Sequence, residues 1–169
     1  MSELALPKID SSILNRKNEI VKNLSKLTNK ENVLSEADEL RPYETDALSV
    51  YTQTPLAVVL PENTDEVSEI LKYCYSENIK VVPRGAGTGL SGGALPLQDA
   101  ILLGLGKFNK ILEIDYENKC VVTQPGVTNL GITHAVQHKG FYYAPDPSSQ
   151  LACSIAVSYT HLRAHETGC

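Results

Sequence analysis

Five of the nine residues from Gly85 to Gly93 are glycine. They follow directly on Ile79-Lys80-Val81-Val82-Pro83-Arg84, which opens as an apolar run of strand character. No helix interior accepts that density, since each glycine costs about 1 kcal/mol against alanine there. The stretch therefore reads as a loop at the end of a strand, bringing bare backbone N–H groups close to something. Clustered N–H groups form an anion-binding concavity, and a phosphate is the usual guest.

The surroundings of the loop set its fold. Ala57-Val58-Val59-Leu60 is a short apolar strand stopped by Pro61. Asn63 caps a following helix, with Glu66 reaching back to it, and Val67, Ile70, Leu71 and Cys74 share one face. Ile79 to Val82 is then the second strand of a β-α-β unit, so the two strands are expected parallel with a right-handed crossover. The glycine loop sits at the carboxyl end of that strand, where ligands of open α/β sheets commonly bind. Further on, Ala100 to Leu103 is a third strand. Ile111 to Tyr116 and Cys120 to Thr123 form a hairpin turned by Glu117-Asn118-Lys119. Thr128 caps a helix that Gly140 stops.

Residues 1–50 read as a helical lead-in. Asp10-Ser11-Ser12 is an N-cap, Ile13, Ile20, Val21, Leu24 and Leu27 have helical spacing, and Arg16, Lys17, Lys22 and Lys26 form a solvated face. Tyr43-Glu44-Thr45-Asp46 is expected to be a solvated loop. His134 and His138 lie four apart on a predicted helix, where a solvated face is also expected.

Composition excludes other classes. A net charge of −5 with no basic run argues against a nucleic-acid surface. No apolar run approaches the roughly 20 residues of a membrane span. The first residues have neither a basic nor a long apolar segment, so no secretory leader is expected. Cys74, Cys120, Cys153 and Cys169 show no Cys-x-x-Cys pairing, and a reduced cytoplasmic setting is the expectation.

Three phosphate motifs and a plain turn compete for the loop. A Walker A loop needs a Lys after its last glycine, and none lies between Lys80 and Lys107. Gly87-x-Gly89-x-x-Gly92 spells the Rossmann fingerprint, with Glu113 about twenty residues on. That fingerprint must open a helix, and Gly92-Gly93-Ala94-Leu95-Pro96 does not. A ligand-free turn needs one or two glycines, not five with Arg84, Thr88 and Ser91 as donors among them. A backbone wrap around a pyrophosphate, with no helix, is what remains.

Residues 83–93 resemble the pyrophosphate loop of the FAD-binding fold of the vanillyl-alcohol oxidase/p-cresol methylhydroxylase family. Within it the chain is most similar to the FAD-binding subunits of glycolate oxidases and their D-2-hydroxyacid dehydrogenase relatives. Pro42-Tyr43-Glu44-Thr45-Asp46, Pro55 to Pro61, Gln124-Pro125-Gly126-Val127 and residues 143–150 agree, so the likeness runs from about Leu40 to Ala156. It implies an α+β fold, the first subdomain of a p-cresol methylhydroxylase-type FAD-binding domain, truncated: a β-α-β unit plus a mixed sheet with helices, incomplete over residues 51–156. It implies that Pro83, Arg84, Gly85, Ala86, Gly87, Thr88, Gly89, Leu90, Ser91 and Gly92 hold the FAD pyrophosphate. Gly126, Pro145, Asp146 and Ser149 would approach the rest of the flavin. Some family members attach flavin to a His in this loop. Thr88 stands at that kind of position, so non-covalent FAD is expected.

The resemblance further implies a glycolate or D-2-hydroxyacid oxidoreductase, with the substrate domain absent from this chain and no catalytic residue within it. It implies iron–sulfur and second flavin-type partner subunits. Two alternatives stand beside it: a non-catalytic flavin-binding subunit, and a nicotinamide-dependent dehydrogenase kept alive by the fingerprint alone. Residues 157–169 back-translate to a transposase adapter used for sequencing libraries, and are expected to be non-native. His161 and His165, spaced like zinc ligands, fall in that tail, so no metal is expected.

Overall fold

The local signals for the helices are present in the folded chain. In a computed structural model describing residues 7–90, 92–145 and 151–156, the Asp10 carboxylate accepts the Ser12 N–H at 2.9 Å and starts α1 (Ser11–Asn15). The chain kinks at Arg16 and continues as α2 (Lys17–Leu24). The cationic face of α2 is not merely solvated. Arg16 bridges Glu19 and Glu77, and the Lys17 ammonium donates to the Ser35 carbonyl at 2.8 Å. A two-residue strand, β1 (Val33–Leu34), follows, then α3 (Ala37–Leu40), closed by a reciprocal capping box between Glu36 and Glu39.

The β-α-β unit is β2 (Ala57–Val59), α4 (Thr64–Ser76) and β3 (Lys80–Arg84). Asn63 Oδ1 accepts the Glu66 N–H at 2.9 Å, and the Asn63 amide donates to the Glu66 carboxylate at 2.8 Å. β4 (Ala100–Gly104) then inserts between the two earlier strands, giving the order β1-β2-β4-β3. β2, β4 and β3 run parallel, with Val58 opposite Leu102 and Val82 opposite Leu102 on the other side. β1 is antiparallel to β2. The hairpin is β5 (Ile111–Asp115) and β6 (Cys120–Thr123), with a register shift between Ile111 and Glu113. Lys119 takes φ 56° in its turn. Helix α5 (Asn129–Val136) is capped by the Thr128 hydroxyl, and the chain beyond it ends at Gly140 with φ 78°.

Alternation along the strands divides the interior in two. On one face Ala57, Val59, Ile101 and Leu103 pack with Ile13, Ile20, Leu24, Ile70 and Cys74. On the other, Val58 and Leu102 pack with Leu40, Tyr43 and Leu60. The lead-in helices and β1 thus share their core and sheet with residues 57–103. Burial pushes the Cys74 thiol up to about 11, so it behaves as a small apolar side chain. Leu71 is an exception to its expected face and is largely exposed. The carbonyl of Arg84 accepts the Leu105 N–H at 2.8 Å, so Arg84 and Val82 face β4. Pro83, one residue out of phase, turns its ring nitrogen to the open edge, the one place in a sheet where a missing N–H is harmless.

Candidate functional site

β3 and β4 end side by side, and the glycine loop leaves β3 at that end. Gly87 and Gly92 adopt φ 70° and 74°, a left-handed backbone that side chains rarely take. The Gly87 carbonyl turns back to accept the Ala47 N–H at 2.9 Å. The N–H groups of Gly87, Thr88, Gly89 and Leu90 have no acceptor among the described residues. The Thr88 hydroxyl is buried and also without a partner. No helix follows: Leu95 N–H bonds to Gly92 O at 3.2 Å in a turn. The fingerprint spacing at Gly87, Gly89 and Gly92 therefore does not produce the geometry that a nicotinamide dinucleotide uses.

The other walls come from distant chain segments. Ser154 is buried, and its Oγ accepts the Ala86 N–H at 3.2 Å. A Cβ at Gly85 would overlap the Ala156 Cβ and lie 2.6 Å from Ser154 Oγ. This strip is held in turn by α5: Ser154 bridges Thr128, and the N–H groups of Asn129 and Ile155 bond to the carbonyls of Cys153 and Val127. Gly126 is pinned from below. Its N–H donates to Phe108 O at 2.7 Å, and an added Cβ would lie 2.6 Å from Leu105 O and 2.7 Å from Phe108 O. A cleft of about 410 Å³ lies against it, lined by Gly106, Asn109, Val127 and Thr128. A second, more apolar cleft of about 300 Å³ sits between the hairpin and α5, lined by Ile114, Val121, Ile132 and Tyr142. No loop residue lines it, so it offers an anion nothing from residues 84–90.

One expectation needs correction. The segment around Tyr43 to Asp46 is not a solvated loop: Asp46 is 5% exposed, and its carboxylate accepts the Leu48 N–H at 2.8 Å. The Arg84 guanidinium turns to this segment, donating to Thr45 O at 2.7 Å and Tyr43 O at 3.3 Å. Burial pulls the Arg84 guanidinium down from its ordinary value, and the Asp46 charge opposes that pull. His134 and His138 are both exposed, as expected, with His138 edge-on to the Tyr116 ring at a centroid distance of 6.4 Å. Of the other expected site residues, Pro145 presents its carbonyl to the Asn129 amide at 3.3 Å, and Leu90 is exposed. Ser91, Asp146 and Ser149 lie outside the described residues. Sequence reasoning missed Ser154, Asn129 and Ala47. All three fall in stretches that matched the resemblance, but none carries a motif of its own.

The donor set fits a pyrophosphate. It offers free amides and a hydroxyl, on glycine backbone that a neighbouring chain can approach closely. A family profile described as "FAD binding domain" matches residues 55–158. The chain is 47% identical to the glycolate oxidase subunit GlcD of Escherichia coli K12, over 89% of this chain and 29% of that protein. It is 35% identical to the mitochondrial D-2-hydroxyglutarate dehydrogenase of Arabidopsis thaliana, over 73% of this chain and 22% of that one. The chain thus spans less than a third of the length of these relatives. The structure of p-cresol methylhydroxylase with substrate bound superimposes with a TM-score of 0.64 at 30% identity, over 75% of this chain and 25% of that one. No helix among the described residues is long and apolar enough to cross a membrane. The profile match, the relatives and the superposition agree with the geometry of the glycine loop: the chain belongs to the FAD-binding domain family of the p-cresol methylhydroxylase type.

Proposed function

We propose that residues 85–92 clasp the pyrophosphate of non-covalently bound FAD, in a polypeptide that oxidises glycolate or a related D-2-hydroxyacid to the 2-oxoacid. The observation that carries this is the row of unpaired amides from Gly87 to Leu90 beside the unpartnered Thr88 hydroxyl. Two phosphate groups arriving there supply acceptors to groups that have none among the described residues. Ser154 and Gly85 close the rear of the loop. Residues 126–129 and 145–149 would continue the site toward the flavin ring.

FAD, when bound, supplies the two-electron acceptor for that oxidation. This chain's part is to bind and orient it; no residue is assigned as the catalytic base. The substrate class rests on the relatives' names. GlcD is named as a glycolate oxidase subunit, which supports an assembly with other subunits; iron–sulfur and second flavin-type partners are proposed from the family resemblance alone. A cytoplasmic setting is supported by the spacing of the cysteines, which shows no Cys-x-x-Cys pair.

Titration with FAD and with riboflavin, followed by flavin fluorescence, tests the clasp. FAD binding much tighter than riboflavin is the expected result, because riboflavin lacks the pyrophosphate. Equal affinities for the two would overturn the assignment.

A further inference from the structure

The resemblance groups Arg84 with the residues that face the pyrophosphate, but its side chain is committed elsewhere. Its guanidinium bonds to two main-chain carbonyls, Thr45 at 2.7 Å and Tyr43 at 3.3 Å, and its Cζ lies 5.8 Å from the centroid of the Tyr43 ring. The loop folds over the same group: a Cβ at Gly87 would lie 2.5 Å from Arg84 Nη2, 2.7 Å from Nε and 2.8 Å from Cζ. Gly87 therefore rests on the guanidinium, and its carbonyl is tied down by the Ala47 N–H at 2.9 Å. The footing is itself fixed. Tyr43 packs on the Val58–Leu102 face of the sheet, Gln53 N–H bonds to Glu44 O, and Asp46 holds the Leu48 N–H.

We infer that Arg84 is a positioning residue: with Nη1 bonded to the carbonyls of residues 43 and 45 it braces that segment against the glycine loop, and fixes the direction in which the amides of Gly87 to Leu90 point, without itself contacting the phosphate. This inference rests on the reading of the loop as the pyrophosphate site. A planar guanidinium suits the role because it satisfies two carbonyls and offers a flat face to the glycine above. A lysine ammonium carries three donors and can also serve two carbonyls from one nitrogen, but it has no flat face to set beneath Gly87. The arrangement also explains why glycine is required at residue 87 twice over, once for φ 70° and once for the face of Arg84 beneath it.

The test uses the whole chain and its Arg84→Met and Arg84→Lys variants. Exchange of the Ala47 amide reports the brace without any ligand, since its acceptor is Gly87 O. Exchange of the Leu102 amide, in the buried β4, reports whether the fold survives. FAD titration reports the site. Arg84→Met is expected to speed Ala47 exchange about tenfold relative to Leu102, and to weaken FAD about tenfold, the scale of one lost hydrogen bond to a charged group. Arg84→Lys is expected to recover neither in full. Weaker FAD with unchanged Ala47 exchange would make Arg84 a direct phosphate ligand and overturn the brace. Faster Ala47 exchange with unchanged FAD affinity would overturn its positioning role, as would full recovery by lysine. If the wild-type chain takes up no FAD, the pyrophosphate reading fails. The Ala47 arm still decides the brace, and unchanged exchange there in Arg84→Met overturns it. Should Arg84→Met lose Leu102 protection, the lysine variant carries the comparison.

Discussion

Ser154 Oγ accepts the Ala86 N–H at 3.2 Å, joining the glycine loop to a strip 68 residues further along the chain. Ser154 is buried while Ala86 is exposed, so water can replace part of what the Ala86 amide would lose. Ser154→Ala removes this acceptor and is expected to destabilise by about 0.5–1.5 kcal/mol, the net scale of one hydrogen bond. FAD affinity should fall with it, because the loop loses its rear support. Urea unfolding and flavin titration on the same variant measure the two effects.

Two glycines are expected to differ in their tolerance of alanine. At Gly126 the new methyl group meets the carbonyl oxygens of Leu105 and Phe108, which are backbone and cannot swing aside. At Gly140 nothing lies within 4 Å, and only φ 78° opposes the change. Gly126→Ala should therefore lower thermal stability by more than Gly140→Ala, with overpacking alone contributing about 1–3 kcal/mol. A smaller loss at Gly126 would contradict the close approach.

The Thr88 hydroxyl predicts opposite signs for two measurements. Buried without a partner, it costs stability in the ligand-free chain. Thr88→Val keeps the shape and removes that cost, so the unfolding midpoint is expected to stay level or rise. FAD affinity is expected to fall by about tenfold, the scale of one hydrogen bond to a charged acceptor.

Asp99 links stability to pH. Burial alone would raise its carboxyl. Bonds from Lys80 Nζ and from Asp10 N–H, each at 2.7 Å, together with the Lys80 charge hold it below its ordinary value. A carboxylate lowered in the folded state adds stability that is full above the unfolded value, about 3.9, and is lost as pH falls through the folded value. Wild type should exceed Asp99→Asn in urea midpoint at pH 7, and the gap should close below about pH 4. A gap that widens in acid would reverse the sign of this linkage.

What was legible in the sequence was local. The caps at Asp10, Asn63 and Thr128 and the Glu117-Asn118-Lys119 turn are short-range hydrogen-bonding patterns written in adjacent residues, and they appear where the residues place them. Strand order was not legible. β4 inserts between β2 and β3 because its run of apolar residues is buried on both faces, and nothing in its own pattern names its neighbours. Asp46 and Ser154 were misjudged or missed for the same reason. Ser154 meets a partner 68 residues away and Asp46 is buried by the folding of the chain around it, and spacing carries no record of either. The loop showed the reverse problem: its spacing spelled a fingerprint, and the chain after Gly92 decided against it.

Pro83 has a consequence for how copies of the chain meet. An open parallel edge offers its outward N–H groups to any passing strand. Val81 and Pro83 are the outward positions of β3, so the proline removes one donor next to the loop and leaves the edge a poor partner for self-association. Pro83→Val would restore an unbroken, β-branched edge. The variant is expected to keep its fold and to form dimers and larger species in light scattering at concentrations where the wild type does not. The residue that introduces the glycine loop would thereby also limit aggregation of the sheet that carries it.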